Sequence, residues 1–336
     1  MVMTLGKRGL VMQLSKDTKF NILVSGASGI VGYGVLKSLK NLDCNLIGTT
    51  IYEISPANCF ADIVLQPPMT SDKNYIPWLV ETIKKYDIDM IIPAIEADMS
   101  EWNKNREILE KTGTFVLLNN SKLIELCLDK WEFYSELKKN NFKYRIESSL
   151  NSDFNEFELP FLLKPRCGFG SKGIVKVEDR ETFEKYKDKI GKTLMMQEFV
   201  GTNDEEYTVS AFFDKNSSMK AYMSMKRKLS KQGFTEIATV VDLPDIKNVI
   251  LELAKIFKPV GPTNFQFRRH DGMWKLLEIN PRISSSSSIR KAFDYNESKM
   301  AVEYFLEGKD IFQPEIKKGS AIRYTEDFIF YDSDNI

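Results

Sequence analysis

The 336-residue sequence predicts an α/β unit with a small parallel sheet, followed by an α+β unit whose antiparallel strands fall into two lobes. Three observations carry that expectation. Apolar strand-like runs alternate with helical stretches over residues 21–118, a glycine-rich basic loop sits between two apolar runs at 159–178, and a strand, an Asp-Gly turn and a second strand follow at 264–282.

Residues 1–19 read as an N-terminal tail outside the fold, and 20–25 as the first strand. Gly26, Gly29 and Gly32 then make a glycine turn into a helix reaching about residue 39, the strand–turn–helix pattern of dinucleotide-binding units. A second strand follows at 45–52 with Glu53 at its end, and a buried one at 90–94 leads through Glu96 and Asp98 into a helix ending near 106. Those two acids suit part of an amine-facing site, and suit equally an acidic helix start. Asn119, Asn120 and Ser121 cap a helix carrying Lys130.

The apolar run 159–163 ends in Lys164, Pro165 and Arg166, the loop 167–173 contains Gly168, Gly170, Ser171, Lys172 and Gly173, and 174–177 is a β-branched strand. Such a hairpin can close on phosphates, because glycines let backbone N–H groups approach while Lys164, Arg166 and Lys172 add positive charge. A long hairpin loop with solvating lysines is the alternative. It is not a Walker A loop, since no helix follows and the order G-x-x-x-x-G-K-[ST] is absent. A helix near 180–188, strands at 195–200 and 205–214, and a helix at 245–257 come next.

In the last hairpin His270, Asp271 and Gly272 form the turn between 264–267 and 274–282. Side chains alternate along a strand, so Glu278 and Asn280 share a face, and the hairpin brings Gln266 level with them to within one residue of register. One carboxylate and two amide oxygens make a hard-oxygen site suited to Mg²⁺ beside phosphates, with Arg282 at the strand end to hold an anionic group. The five serines at 284–288 read as a hydroxyl-lined loop at an acceptor site or as a linker. Residues 311–336, containing Arg323 to Asp327, have no role that the sequence assigns.

The ordered set Lys130, Lys164-Pro-Arg with its glycine loop, Gln197-Glu198-Phe199-Val200, Glu206-Tyr-Thr-Val, Asn264-x-Gln266 and Glu278-Ile-Asn280-Pro-Arg282 resembles the ATP-grasp superfamily. Within it, the likeness is to the synthetase domains of the carbamoyl phosphate synthetase large subunit, over roughly residues 21–310. The resemblance implies a Rossmann-like pre-ATP-grasp domain followed by a two-lobed ATP-grasp fold. The expected segments are a tail (1–19), the pre-ATP-grasp domain (20–118), a linker helix and lid lobe (119–193), a nucleotide and metal lobe (194–310) and an extension (311–336).

It also implies roles. Lys130 and Lys164 contact the phosphates of ATP under the 166–173 loop, with Arg166, Gly168, Gly170, Ser171, Lys172 and Gly173 in that lid. The backbone of Gln197, Glu198, Phe199 and Val200 meets the adenine edge, Glu198 takes the exocyclic amine, and Glu206 holds the ribose hydroxyls. Gln266, Glu278 and Asn280 bind Mg²⁺, for which Mn²⁺ substitutes, and Arg282 steadies the transferred phosphoryl group or an acyl phosphate. Lys226 is a further phosphate contact, although a surface lysine run explains it equally well. The implied activity is ATP-dependent ligation of a small carboxylic acid to an amine, giving ADP and phosphate.

Two departures stand against carbamoyl phosphate synthesis itself. The second arginine that follows Asn-Pro-Arg in those synthetase domains is Ser285 here, and a single copy of the domain pair is read, without a glutamine-hydrolysing partner domain. The rival reading is an NAD(P)-dependent oxidoreductase using the Gly26–Gly32 turn, with Glu53 on a ribose and a Tyr-x-x-x-Lys pair, Tyr134 with Lys138 or Tyr222 with Lys226. Thirteen tyrosines in a lysine-rich chain make such pairs expected by accident.

Lys plus Arg balance Asp plus Glu at 47 each, so no overall basic field points to nucleic acid or to a membrane surface. No apolar run approaches the ~18 residues of a membrane span. Cys44, Cys59, Cys127 and Cys167 lack paired spacing, which suits reduced thiols and a cytoplasmic protein, and Cys167 reads as a small loop residue. The only histidine, His270, is a turn residue. Oligomeric state is not legible, and the resemblance is compatible with a homodimer.

Overall fold

The computed structural model describes residues 19–168, 172–230 and 233–329, so Gly170 and Ser171 lie outside the described residues. The chain divides into two compact units: one of the described residues up to Leu117 with Ala301–Lys309 and the described part of Arg323–Ile336, the other of Leu118–Met300 with Asp310–Ile322.

The first unit contains β1 (Phe20–Val24), α1 (Ile30–Leu39), β2 (Cys44–Thr49), β3 (Ile63–Leu65), α2 (Tyr75–Lys85), β4 (Met90–Ile92), α3 (Glu96–Lys104), α4 (Arg106–Glu110) and β5 (Phe115–Val116). The strands form one parallel sheet in the order β3-β2-β1-β4-β5. Central β1 buries Ile22, Leu23 and Val24 completely, as a strand paired on both edges and covered on both faces must. The glycine turn has a packing explanation: a Cβ on Gly32 would lie 2.4 Å from Gly26 O, so only glycine lets α1 start this close to the turn.

Two expectations change in this unit. The helix expected to run through Arg106 breaks at Asn105, whose side-chain amide donates back to Glu101 O (3.0 Å) and competes with the helical ladder. Asp98 does not face an amine site. It is buried, accepting from Thr70 Oγ1 (2.6 Å) and from the Tyr75 hydroxyl (2.8 Å), which in turn accepts from Trp102 Nε1 (3.1 Å). Burial and the neighbouring Asp98 push the Tyr75 phenol above its ordinary pKa, so it stays a donor.

The second unit begins with α5 (Ser121–Leu128) and α6 (Lys130–Lys139), continues through β6 (Ser148–Ser149), β7 (Phe161–Pro165), β8 (Val175–Val177), α7 (Arg180–Glu184) and β9 (Leu194–Glu198), and then enters β10 (Glu206–Phe213), β11 (Met219–Leu229), β12 (Thr235–Val240), α8 (Pro244–Phe257), β13 (Gly261–His270) and β14 (Met273–Asn280). Next come α9 (Ser287–Ala292), α10 (Glu297–Phe305), which runs across the division between the units, and β15 (Ser320–Ile322). The expected single helix through Lys130 is two. Asn120 caps α5 by accepting from Leu123 N (3.3 Å), and extended Asp129 ends α5 and caps α6 by accepting from Trp131 N (2.8 Å). Lys130 is therefore the first residue of α6.

The smaller lobe is a four-stranded antiparallel sheet in the order β6-β9-β7-β8, its core built from Phe161, Leu163, Val177, Phe183 and Met196. The larger is six-stranded, β14-β13-β10-β11-β12-β15, so part of the C-terminal stretch adds an edge strand against β12. Strand parity divides its two faces. Tyr207, Val209, Ala211 and Phe213 of β10, with Phe265 and Phe267 of β13, pack with α8, while Glu206, Thr208, Ser210, Asn264, Gln266 and Arg268 point the other way. The last hairpin turns through Asp271 (φ 49°) and Gly272 (φ 74°), the paired left-handed conformations of a two-residue type I′ turn.

The serine run is not an open loop at an acceptor site. Ser284, Ser286 and Ser287 are buried and α9 starts at Ser287. Ser284 Oγ accepts from Arg290 Nη1 (2.7 Å), and Arg290, itself fully buried, pairs with Glu297 (3.0 Å) and donates to Asn264 Oδ1 (2.7 Å) and Thr208 Oγ1 (3.1 Å). Both terminal nitrogens of the buried guanidinium are thus partnered, and the run's small hydroxyl residues leave room for it.

Candidate active site

Between the two lobes of the second unit lies a pocket lined from one side by Lys130, Lys164, Gly168 and Lys172 and from the other by Glu206, Gln266, Arg268 and Glu278. The hairpin β7–β8 and the first turn of α6 supply the cations. Parity along β7 places Leu162 and Lys164 on the pocket wall, with Phe161 and Leu163 in the core of the smaller lobe. Lys130 is tied to the same hairpin twice, its backbone N donating to Arg166 O (2.8 Å) and its Nζ to Gly168 O (2.7 Å). Burial pushes the Lys164 ammonium down to about 8; Glu278 opposes the shift, while Lys130 and Arg268 add to it.

The opposite wall depends on a bulge in the last hairpin. Phe267 pairs with Leu276, but Gln266 pairs with Glu278, so Leu277 is an extra residue. Counted without a break from His270 opposite Met273, Glu278 would fall opposite Phe265, on the face packed against α8. The bulge moves it across from Gln266 and places Asn280 across from Asn264. Asn280 Nδ2 donates to Glu278 Oε1 (3.0 Å), which leaves the amide oxygen of Asn280 for a cation. Gln266, Glu278 and Asn280 thus come together as expected. Among the described residues no three of His, Cys, Asp and Glu gather as a metal site. The Glu278 carboxylate and the Asn280 amide oxygen, with a Gln266 oxygen shared with Arg227, fit a Mg²⁺ ion that also takes ligand phosphate oxygens, and are too weak a set to hold one alone.

Several expected residues sit elsewhere. Arg166 does not line the pocket; its guanidinium turns to the capping carboxylate, with Nη2 2.6 Å from Asp129 Oδ2. Against burial, which raises it, the hydrogen bonds from Arg166 and Trp131 N hold the Asp129 carboxyl below its usual value. Lys226 is on the wrong face of β11: it pairs across from Tyr207, lies over that ring, and bonds Glu205 at 2.7 Å. Its neighbour Arg227 faces the site. That buried side chain donates to Glu206 Oε1 (2.7 Å) and to Gln266 Oε1. Arg268 Nη2 bonds the other Glu206 oxygen at 3.0 Å. Glu206, expected at a ribose, is therefore clamped between two arginines.

In the 197–200 run, Gln197, Glu198 and Val200 line the pocket. Glu198 N donates to Glu147 O (3.0 Å), Val200 O accepts from Arg268 Nη1 (3.4 Å), and Phe199 faces the Lys176 ammonium rather than the pocket. Gly173 (φ 74°) bends the hairpin loop against Pro165. Arg282 follows β14, does not line the pocket, and donates from Nη1 to Ile283 O (2.9 Å). His270 Nδ1 accepts from Gly201 N (3.1 Å), fastening the chain after β9 to the end of β13. The four cysteines are free thiols, and burial pushes that of Cys44 up to about 12. No helix among the described residues is long and apolar enough to cross a membrane.

Residues 191–328 match the family described as ATP-grasp in the biosynthetic pathway with Ter operon, and residues 22–117 match the PylC-like N-terminal domain. The chain is similar to the formate-dependent phosphoribosylglycinamide formyltransferase of Prochlorococcus marinus, with 28% identity over 212 residues, covering 59% of this chain and 52% of that protein. It is also similar to the carbamoyl phosphate synthase large chain of Methanothermobacter thermautotrophicus, 22% identical over 311 residues, which covers 83% of this chain and 29% of the other. The chain thus spans about half or less of the length of these relatives. Among solved structures, N5-carboxyaminoimidazole synthetase from Staphylococcus aureus complexed with ADP superimposes with a TM-score of 0.72 at 15% identity, over 91% of this chain and 83% of that one.

Proposed function

With an ATP-grasp fold set behind a PylC-like N-terminal domain as the premise, we propose that the protein is an ATP-dependent ligase that joins a small carboxylic acid to an amine. The observation that carries the reading is the pocket itself, where Lys130, Lys164 and Lys172 on one lobe face Gln266 and Glu278 on the other. In the proposed reaction a carboxylate oxygen attacks the γ-phosphorus, ADP leaves, and an acyl phosphate forms. The amine then attacks the acyl carbon and expels phosphate. Lys130, Lys164 and Lys172 hold the phosphate chain, and the 197–200 segment meets the adenine. Glu206 fixes Arg227 and Arg268 beside the nucleotide. Gln266, Glu278 and Asn280 would hold Mg²⁺, with Mn²⁺ as a substitute, and such an ion would supply positive charge beside the phosphates.

The test is ADP release from ATP and Mg²⁺ over a matrix of carboxylic acids and amines. Release that needs one acid together with one amine supports the ligase; a chain that binds no nucleotide at all overturns it. Nucleotide affinity should also fall with pH. Lys164 is charged below about 8, and a bound phosphate chain favours its charged form. The Kd for ATP should therefore rise by at most roughly tenfold per unit above pH 8, where the phosphates themselves no longer titrate. Calorimetric titrations between pH 7 and 9.5 would read this slope, which Lys164→Met should flatten. Lys226→Ala, by contrast, should leave Kd within about twofold, because its partner Glu205 is on the far face of the sheet from the pocket.

A further inference from the structure

A second cavity, of about 630 Å³, lies beside the first half of β11, and the proposed ligation does not use it. Its floor is the stretch from Met219 to Ser224, which β12 does not reach because β12 pairs only with Met225 to Leu229. Leu243 and Lys247 at the start of α8 form one wall, and Gln313, Ile316 and Lys318 form the other. That second wall is pinned in place. Tyr222 N donates to Gln313 Oε1 (2.9 Å) and Gln313 Nε2 donates to Tyr222 O (3.1 Å), so a side-chain amide stands where a neighbouring strand's peptide would pair.

Two independent features say what the space would take. Ser224 is only 4% exposed and its hydroxyl has no hydrogen-bond partner among the described residues. Its cross-strand neighbour is Val209 in the apolar core, so a partner has to come from the cavity side. The charge lining the cavity is one-sided: Lys220, Lys247 and Lys318 against Asp242. Lys220 is held by Asp214 (3.1 Å), while no described acid pairs with Lys247 or Lys318. The first turn of α8 has no side-chain cap, and its one acid, Asp245, accepts from Arg269 and Trp274. Met219 and Tyr222 give the rest of the floor an apolar surface.

We propose that this cavity is a second ligand site, for a small amphipathic anion: an apolar body carrying a carboxylate or phosphate, its charge met by Lys247 and Lys318 and a polar atom bonded to Ser224. The probe is 8-anilinonaphthalene-1-sulfonate, titrated into the full chain by fluorescence. About one saturable site per chain is expected. Lys247→Glu with Lys318→Glu should weaken it at least tenfold, Lys247→Arg with Lys318→Arg should preserve it, and Ser224→Met, which fills the wall, should abolish it. Displacement by octanoate or by phenyl phosphate would tell which head group the site prefers. The lysine positions are exposed, so the charge reversal stays informative even if Ser224→Met does not fold. Probe fluorescence unchanged by the reversal, or no saturable binding, overturns the proposal.

Discussion

Glu278→Ala is expected to lower ATP turnover by about two to three orders of magnitude while the chain stays folded. Glu278 supplies the only carboxylate of the proposed Mg²⁺ ligand set, and its loss leaves two neutral amide oxygens beside the phosphates. The side chain is exposed and accepts a hydrogen bond from Asn280. Its removal should therefore shift stability by no more than ~0.5 kcal/mol. Thermal melting together with steady-state ADP release measures both quantities. Wild-type turnover in this variant would remove Glu278 from the metal site, and the amide pair with it.

The second large effect is on stability. Glu206→Ala removes the carboxylate that joins Arg227 to Arg268 and leaves the buried Arg227 without its charge partner. Breaking one side of a buried ion pair costs about 3–5 kcal/mol. For a unit of this size that corresponds to a fall in Tm of roughly 10 °C. Glu206→Gln keeps an acceptor for one arginine and should lose less. The alternative role, accepting ribose hydroxyls, predicts the reverse pattern: a raised KM for ATP with Tm unchanged. Calorimetry on both variants, paired with ATP saturation curves, separates the two. The two roles can also add, in which case Tm and KM move together.

What could be read from the sequence was set by how local each signal is. The Asp271-Gly272 turn and the alternation around Gln266 and Asn280 depend on near neighbours, and the structure places them as expected. Choosing among adjacent cations was beyond local signals. Lys226 and Arg227 differ by one position on β11, and which of them faces the site follows from the pairing of β11 with β10, a matter of register across the turn at Asp214 to Ser218. Arg166 was drawn off by Asp129, 37 positions earlier in the chain. Arg290 and Glu297 left no trace in the sequence beyond two opposite charges seven positions apart, because their meaning lies in Thr208, Ser210 and Asn264 on distant strands. A buried ion pair is a tertiary fact.

The bulge at Leu277 bears on how this chain should be aligned. Because Leu276 and Leu277 are the same residue, losing either gives the same sequence, and the remaining pairs from Gln266 with Glu278 to Asn264 with Asn280 are all retained. A one-residue gap at this place is therefore silent for the pairing. A search pattern that counts a fixed number of positions from the Asp-Gly turn to Glu-x-Asn-Pro-Arg would misplace the carboxylate by one. Anchoring the pattern on the strand end, at Asn280-Pro281-Arg282, keeps the comparison in frame.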